Sequence, residues 1–468
     1  MSRNWQEAVK EVIDESRVLT DISDLYSYSF DASFGTFVPE AVIQVKAREE
    51  VVSVVKIANE YKVPVYPRGQ ATSLSGGSLP VHGGMVLDVT LWTDTLEVYH
   101  DDLVVVASPG VLTADINQAA EEHGLFYPPD PSSAHVSTIA GNLAENSGGP
   151  RGLKYGVTKD YVIGLEVVTP EGKVMNTGGR TIKNVTGYDL TKLIVGSEGT
   201  LGIITKVTLK LLPKPQATKT MMAVFDDIAE AGAAISQTLT SGILPSKMEL
   251  MDQNCAISVE NFQPFGLPTD AEAIILIELD GHPDVLEKEI QSVDEIVRGV
   301  GARYTVLAET NKEAANLWKA RKMVSPAIAA VKPTKVSEDA TVPRSKIPEM
   351  IHRLNDIKEK YEIELVVFGH AGDGNLHPNI MCDKRDQEEM MRVEEAVGEI
   401  FQAAIELGGT LSGEHGIGTL KAPFMEDEVG ELGIEMLKKI KDSWDPNNIM
   451  NPGKIFAEPG QKLVLRDE

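Results

Sequence analysis

Three stretches crowded with glycine and small hydroxyl residues interrupt the first 205 residues of this 468-residue chain: "PRGQATSLSGGS" (67–78), "PPDPSSAHVSTIAGNLAENSGG" (128–149) and "GSEGTLGIIT" (196–205). Each lies beside a segment patterned as regular structure. Where no Cβ intervenes, successive backbone N–H groups and short hydroxyls can converge on an anion. A plain surface turn accounts for any one of them, but three in order fit a long ligand lying between two subdomains. The spacing is neither G-x-G-x-x-G nor G-x-x-x-x-G-K-[ST], which disfavours both a doubly wound dinucleotide fold and a P-loop.

The flanking text alternates. "AVIQV" reads as a strand, "REEVVSVVKIANEY" as a helix and "VPVYP" as a strand. "GGMVLDV" and "LVVVASPG" follow as strands, "TADINQAAEEHG" as a helix, and "GLEVVTPEGKVMNTG" as a hairpin turning at Pro170, Glu171 and Gly172. From Gln216 two successive strand–helix–strand passages predict a ferredoxin-like antiparallel sheet with helices on one face. The chain is too long for one ordinary core, and roughly two to four domains are expected at this length. The boundaries expected are residues 1–215, 216–419 and 420–468.

Composition narrows the function. Hydrophobic residues make up 42% with no run long enough to span a bilayer, so no membrane insertion is expected. A net charge of −26 argues against a nucleic-acid partner, whose phosphates need clustered Lys and Arg. Cys255 and Cys382 stand far apart, so neither a disulfide framework, a zinc ribbon nor an iron–sulfur cluster is expected within the chain. "MSRNWQEAVKEVIDESRV" reads as an amphipathic helix without a secretory apolar core, and a cytoplasmic location is expected.

A second constellation lies in "FGHAGDGNLHPNI" (368–380) and "SGEHGIG" (412–418). His370, His377 and Glu414 offer two imidazoles and a carboxylate, a donor set suited to Zn²⁺, Mn²⁺ or Fe²⁺ with positions left open. The glycines at 369, 372 and 374 let a loop bend so that both rings face one point. Asp373 and Asn379 offer supporting contacts, and the plain alternative is a satisfied polar network.

Together with "WDPNNIMNPGKIF" (444–456), these motifs run through nearly the whole chain in an order that resembles the vanillyl-alcohol-oxidase type of FAD-linked oxidases, also called the PCMH type. Within them the chain looks like the group that holds the flavin-binding glycolate oxidase subunits and the D-lactate dehydrogenases. The resemblance implies an α+β fold: a two-subdomain FAD-binding domain, a substrate cap and a C-terminal segment returning to the flavin. It implies that Arg68, Gly69, Gln70, Ala71, Thr72, Ser73, Gly76 and Gly77 wrap the pyrophosphate of non-covalent FAD. Asp130, Ser137, Thr138, Gly141, Asn142 and Gly148 would line its ribityl and ring region, Gly202 and Ile203 its adenine side, and Asn451 would help close the site.

By the same resemblance His370, His377 and Glu414 bind a divalent metal beside the flavin. Arg321 clamps the substrate carboxylate, with Lys335 and Asn379 as further substrate contacts, and His415 takes the hydroxyl proton. The implied reaction oxidises a small 2-hydroxy acid, D-lactate ahead of glycolate, with D-2-hydroxyglutarate as the larger alternative. Reduced FAD would then pass electrons to a protein such as an electron-transfer flavoprotein or an iron–sulfur subunit. The contrasting expectation is a subunit that serves mainly docking and electron relay.

Overall fold

A four-stranded and a five-stranded sheet, with a two-stranded ribbon pairing Leu125–Phe126 with Leu212–Pro213, carry the first spatial unit and one large antiparallel sheet carries the second, in a computed structural model that describes residues 4–465. The first unit comprises residues 4–148, 157–214 and 414–464 among those described; the second comprises 149–156, 215–413 and Leu465.

The first unit opens on α1 (Trp5–Lys10), shorter than the amphipathic pattern predicts. Asp14 ends the helical reading: its carboxylate accepts from the Ser16 N–H at 2.9 Å, and Val18 then pairs with Ile43 in a strand. Met1 to Arg3 of that predicted helix lie outside the described residues. β1 (Val18–Leu19), β2 (Ala41–Gln44), β3 (Val65–Arg68) and β4 (Met85–Asp88) form a sheet ordered β1-β2-β4-β3. The connection from β2 to β3 is α2 (Arg48–Tyr61), whose Val51, Val54, Val55 and Ala58 share one buried face by 3.6-residue spacing. Its end is a left-handed Lys62, φ 55°.

A second sheet follows. β5 (Leu96–Tyr99), β6 (Val104–Ala107), β7 (Val162–Val168), β8 (Val174–Gly178) and β9 (Ile203–Lys210) are antiparallel in the order β5-β6-β9-β7-β8. The C-terminal segment returns to β3: the Val65 N–H donates to Ile449 O at 2.7 Å, and the Asn451 N–H donates to Val65 O at 2.9 Å.

The second unit is built on a sheet of eight strands among the described residues. In chain order these are β10 (Ala217–Phe225), β11 (Lys247–Asp252), β12 (Ala273–Gly281), β13 (Tyr304–Leu307), β14 (Thr334–Ser337), β15 (Ala340–Thr341), β16 (Glu364–His370) and β17 (Asn375–Cys382). The order is β13-β10-β12-β11-β16-β17-β14, with β15 also on β17, and every pairing is antiparallel. The two predicted strand–helix–strand passages therefore supply four strands, and the sheet extends through the histidine hairpin. Met251, Val366, Phe368 and Met381 from one face pack with Ala320, Val324, Ala327 and Ile328 of the helices that follow residue 310. Among the described residues no helix is long and apolar enough to cross a membrane.

Candidate functional site

The glycine-rich hairpin behaves differently from a mobile loop. His370 ends β16 and His377 lies within β17, both 5% exposed, and only residues 371–374 form the turn. Strand register, more than loop bending, aims the two rings. Side chains alternate faces with period two, and Phe368 pairs with His377 while His370 pairs with Asn375, so both histidines stand on one face in adjacent same-face rows. Their ring centroids are 4.9 Å apart and nearly perpendicular. The turn needs its glycines: Gly374 has φ +87° and a Cβ there would strike Val342 O, while a Cβ on Gly369 would strike Asn375 O.

Glu414 follows directly on Gly413, the last residue of the second unit's main segment. By residue type, His370, His377 and Glu414 offer two imidazoles and a carboxylate, a donor set that suits a divalent metal.

Sequence reasoning missed Glu249. β11 pairs Leu250 with Gly369 and Met251 with Phe368, so the next step of that register sets Glu249 against His370. Its Oε1 lies 2.6 Å from His370 Nδ1, and its Oε2 lies 2.6 Å from a terminal nitrogen of Arg321. Burial pushes the Glu249 carboxyl up, but positive charge on His370 and Arg321 outweighs it and brings the group to about 2. An acid at the centre of the otherwise apolar run "MELM" (248–251) was the signal available.

Arg321 reaches this carboxylate from the last turn of α3 (Asn311–Lys322). That helix starts on a capping box in which Glu313 N–H donates to Thr310 Oγ1 and Thr310 N–H donates to Glu313 Oε2, both at 3.2 Å. Leu317 and Trp318, on the inner side, pack against the core cluster. The guanidinium stacks 4.6 Å from the Phe368 ring centroid, and its Nε is buried without a hydrogen-bond partner. Asn379, two residues beyond His377 on the same face, is fully buried; its Nδ2 donates to His377 O at 2.9 Å and its Oδ1 has no partner. Lys335 pairs with Met381, one same-face row further, and its Nζ donates to Ser325 Oγ at 2.9 Å.

The small-residue segments of the first unit converge on a cleft lined by Arg68, Gly69, Gly141, Ser197, Gly202 and Ile203. Gly69 lies so close to Thr138 that a Cβ would strike its Oγ1. Thr138 caps a helix over Ile139–Glu145 by accepting from the Gly141 N–H at 3.3 Å, and the Asn142 side chain donates to Thr113 Oγ1. Ser73 Oγ accepts from Ser75 and Gly77 N–H groups at 3.3 and 3.4 Å, which curls the 69–77 loop, while Ala71 takes φ 53°. Arg68, which lines the cleft, is held by its guanidinium donating to Tyr28 O and Phe30 O at 3.1 and 2.9 Å. Gln70 is exposed, and Thr72 and Asp130 are half-buried.

Asn451 is the tie. Its Nδ2 donates to Gly77 O at 2.8 Å and to Glu198 O at 2.6 Å, joining the first and third small-residue segments. The Ser75 hydroxyl donates to His415 O at 3.0 Å, and a Cβ on Gly148 would stand 2.7 Å from Glu414 Oε2. Glu145, half-buried, and Glu198, buried, both of which sequence reasoning passed over, lie beside Gly416; desolvation and then the charge of Glu198 hold Glu145 well above the usual carboxylate range.

Comparison with known proteins places these features. A model of the FAD linked oxidases C-terminal domain matches residues 214–455, and one of the FAD binding domain matches residues 39–178. Glycolate oxidase subunit GlcD of Bacillus subtilis is 46% identical over 95% of this chain and 94% of its own. The chain belongs to the FAD-linked oxidases. Among other members, the Escherichia coli K12 glycolate oxidase subunit GlcD is 35% identical (96% and 90% covered), and a D-lactate dehydrogenase of Anaerostipes hadrus is 34% identical (96% of each). The fold is that of p-cresol methylhydroxylase, at TM-score 0.80 and 17% identity over 97% of this chain and 96% of the other. A 4-ethylphenol oxidase from Gulosibacter chungangensis matches equally, at 0.80 and 20% over 98% and 97%. The α+β architecture implied by the motifs is thus that of the FAD-linked oxidases.

The small-residue segments of the first unit carry polar atoms suited to the cofactor of this family: Ser137 Oγ and Asn451 Oδ1 are buried without partners, and at Gly141, which lines the cleft, a Cβ would meet only Thr138 Oγ1, at 3.2 Å.

Proposed function

We propose that this FAD-linked oxidase converts a small D-2-hydroxy acid, D-lactate ahead of glycolate, to the 2-oxo acid. The observation that carries the reading lies in the second unit: two buried histidines on one sheet face, and Arg321, with a buried Nε that has no partner, held beside them through Glu249. The names of the relatives, glycolate oxidase subunit and D-lactate dehydrogenase, support it.

The segments around Gly69 to Gly77, Ser137 to Gly148 and Gly202–Ile203 would hold FAD, which when bound supplies a hydride acceptor. His370, His377 and Glu414 would hold a divalent metal, zinc, manganese or iron, which when bound acidifies a hydroxyl group. The Arg321 guanidinium would grip the substrate carboxylate with a fork that Lys cannot offer. Asn379 Oδ1 would accept from the substrate, and Lys335, released from Ser325, would add positive charge. His415 would take the hydroxyl proton, a role worth about two to four orders of magnitude in rate.

Electrons would leave to a protein acceptor, an electron-transfer flavoprotein or an iron–sulfur subunit, in the cytoplasm. Both cysteines of this chain are buried and unpaired.

Anaerobic mixing of the FAD- and metal-loaded protein with D-lactate, L-lactate, glycolate and D-2-hydroxyglutarate tests this. Bleaching of the flavin band by D-lactate or glycolate, lost on chelation, is expected. Bleaching by hydroxyglutarate alone would shift the substrate class. No bleaching by any of the four would overturn the proposal.

A further inference from the structure

One polar group on the active face of the sheet has no role in the proposed reaction, yet it touches two groups that do. Glu249 is fully buried at the centre of a cross-sheet row. One oxygen lies 2.6 Å from His370 Nδ1, and the other lies 2.6 Å from Arg321. A histidine that donates through Nδ1 presents the lone pair of Nε2, and an imidazole is held in that tautomer and orientation by such a carboxylate. An arginine anchored through a terminal nitrogen keeps its remaining edge for another anion. The buried Nε, without a partner, marks that edge.

We propose that Glu249 is a positioning residue that sets the metal-binding imidazole of His370 and the carboxylate-binding guanidinium of Arg321 in one geometry. It makes metal binding and hydroxy-acid binding interdependent. Register dictates the first contact, because Glu249 and His370 are opposed on β11 and β16. The capped helix dictates the second, because Arg321 falls in its last turn above Phe368. A single carboxylate spanning both groups means that releasing either one frees the other to move. This inference rests on the function proposed above, since it assigns Glu249 to that site's metal and substrate.

The test is Glu249→Gln, which keeps shape and one acceptor. Two readouts are taken: retention of Zn²⁺ or Mn²⁺ against graded chelator, measured by elemental analysis, and the D-lactate or glycolate concentration that half-maximally bleaches the flavin. Metal affinity falls about 10- to 100-fold, the usual loss when an orienting partner of a ligand is removed. The half-saturating hydroxy acid concentration rises at least several-fold, while FAD content is unchanged. Both quantities staying within about twofold of the parent would overturn the proposal, as would a change in metal affinity alone. Should Glu249→Gln not fold, Arg321→Met replaces it. Weakened metal retention in that variant, although Arg321 is no metal ligand, supports the coupling; unchanged retention overturns it. If the parent protein neither retains metal nor bleaches, the proposed function has failed. If the parent does both and the variants match it, this inference alone has failed.

Discussion

Asn451 does with one side chain what would otherwise take an additional element. It holds a left-handed backbone, φ 42°, and from that position its amide closes two carbonyls belonging to loops 374 and 253 residues away in sequence. Asn tolerates this conformation because its short polar side chain adds little strain there. Asn451→Ala leaves Gly77 O and Glu198 O without that donor in a buried setting. A loss of about 1–3 kcal/mol is expected from an unsatisfied buried group. Denaturant unfolding would register the loss, and weaker FAD retention should accompany it. Unchanged stability would show that the two loops find other donors.

At the scale of elements, the hairpin of β16 and β17 is positioned by β11 and by the helix that follows β11. Asp252 ends β11 and caps that helix, Gln253–Phe262: its carboxylate accepts from Cys255 N–H at 2.7 Å and from Val367 N–H, on β16, at 2.9 Å. Burial raises this carboxyl to about 6, the backbone donors and Lys358 only partly opposing the rise. The folded protein therefore keeps a proton there that the unfolded chain has already lost. That contribution to stability is complete below the unfolded value near 3.8 and disappears as pH rises through about 6. Asp252→Asn cannot lose its proton, so thermal midpoints followed from pH 4 to 7 should show a shallower decline for the variant than for the parent. Parallel curves would count against a raised carboxyl at this position.

For the whole molecule, the cleft proposed for FAD is lined by residues of the first unit, to which Glu414 also belongs, whereas both histidines, Glu249 and Arg321 belong to the second. A ligand that binds only the native state stabilises it by mass action, by about 2.7 kcal/mol at a hundred times its dissociation constant. Hydrogen exchange should therefore respond regionally. FAD added to the apoprotein slows exchange most in residues 69–77, 137–148 and 198–204, and a divalent metal slows it most in residues 364–382. Uniform slowing across the chain by either ligand would argue that the regions are not separate binding units.

What the sequence by itself determined were features local in the chain. The Gly/Ser-rich loops, the alternation of strands and helices in residues 41–178 and the pair of histidines flanking "AGDGNL" are all written as patterns of residue type at fixed spacing. The motif order also sufficed to recognise the FAD-linked oxidases. Tertiary structure decided which distant residues meet. Glu249 lies 121 residues from His370 and was unreadable as its partner, because only the pairing of β11 with β16 makes them neighbours. Nor could the sequence tell that the Arg68 guanidinium is held by two carbonyls of the 28–30 segment, 40 and 38 residues away. The amino-terminal helix failed to reach its predicted length because a cap at Asp14 and a strand pairing at Val18 outcompeted its amphipathic pattern. In each instance a contact between residues far apart in the chain outweighed the local preference, since burial and hydrogen bonding are settled by the fold.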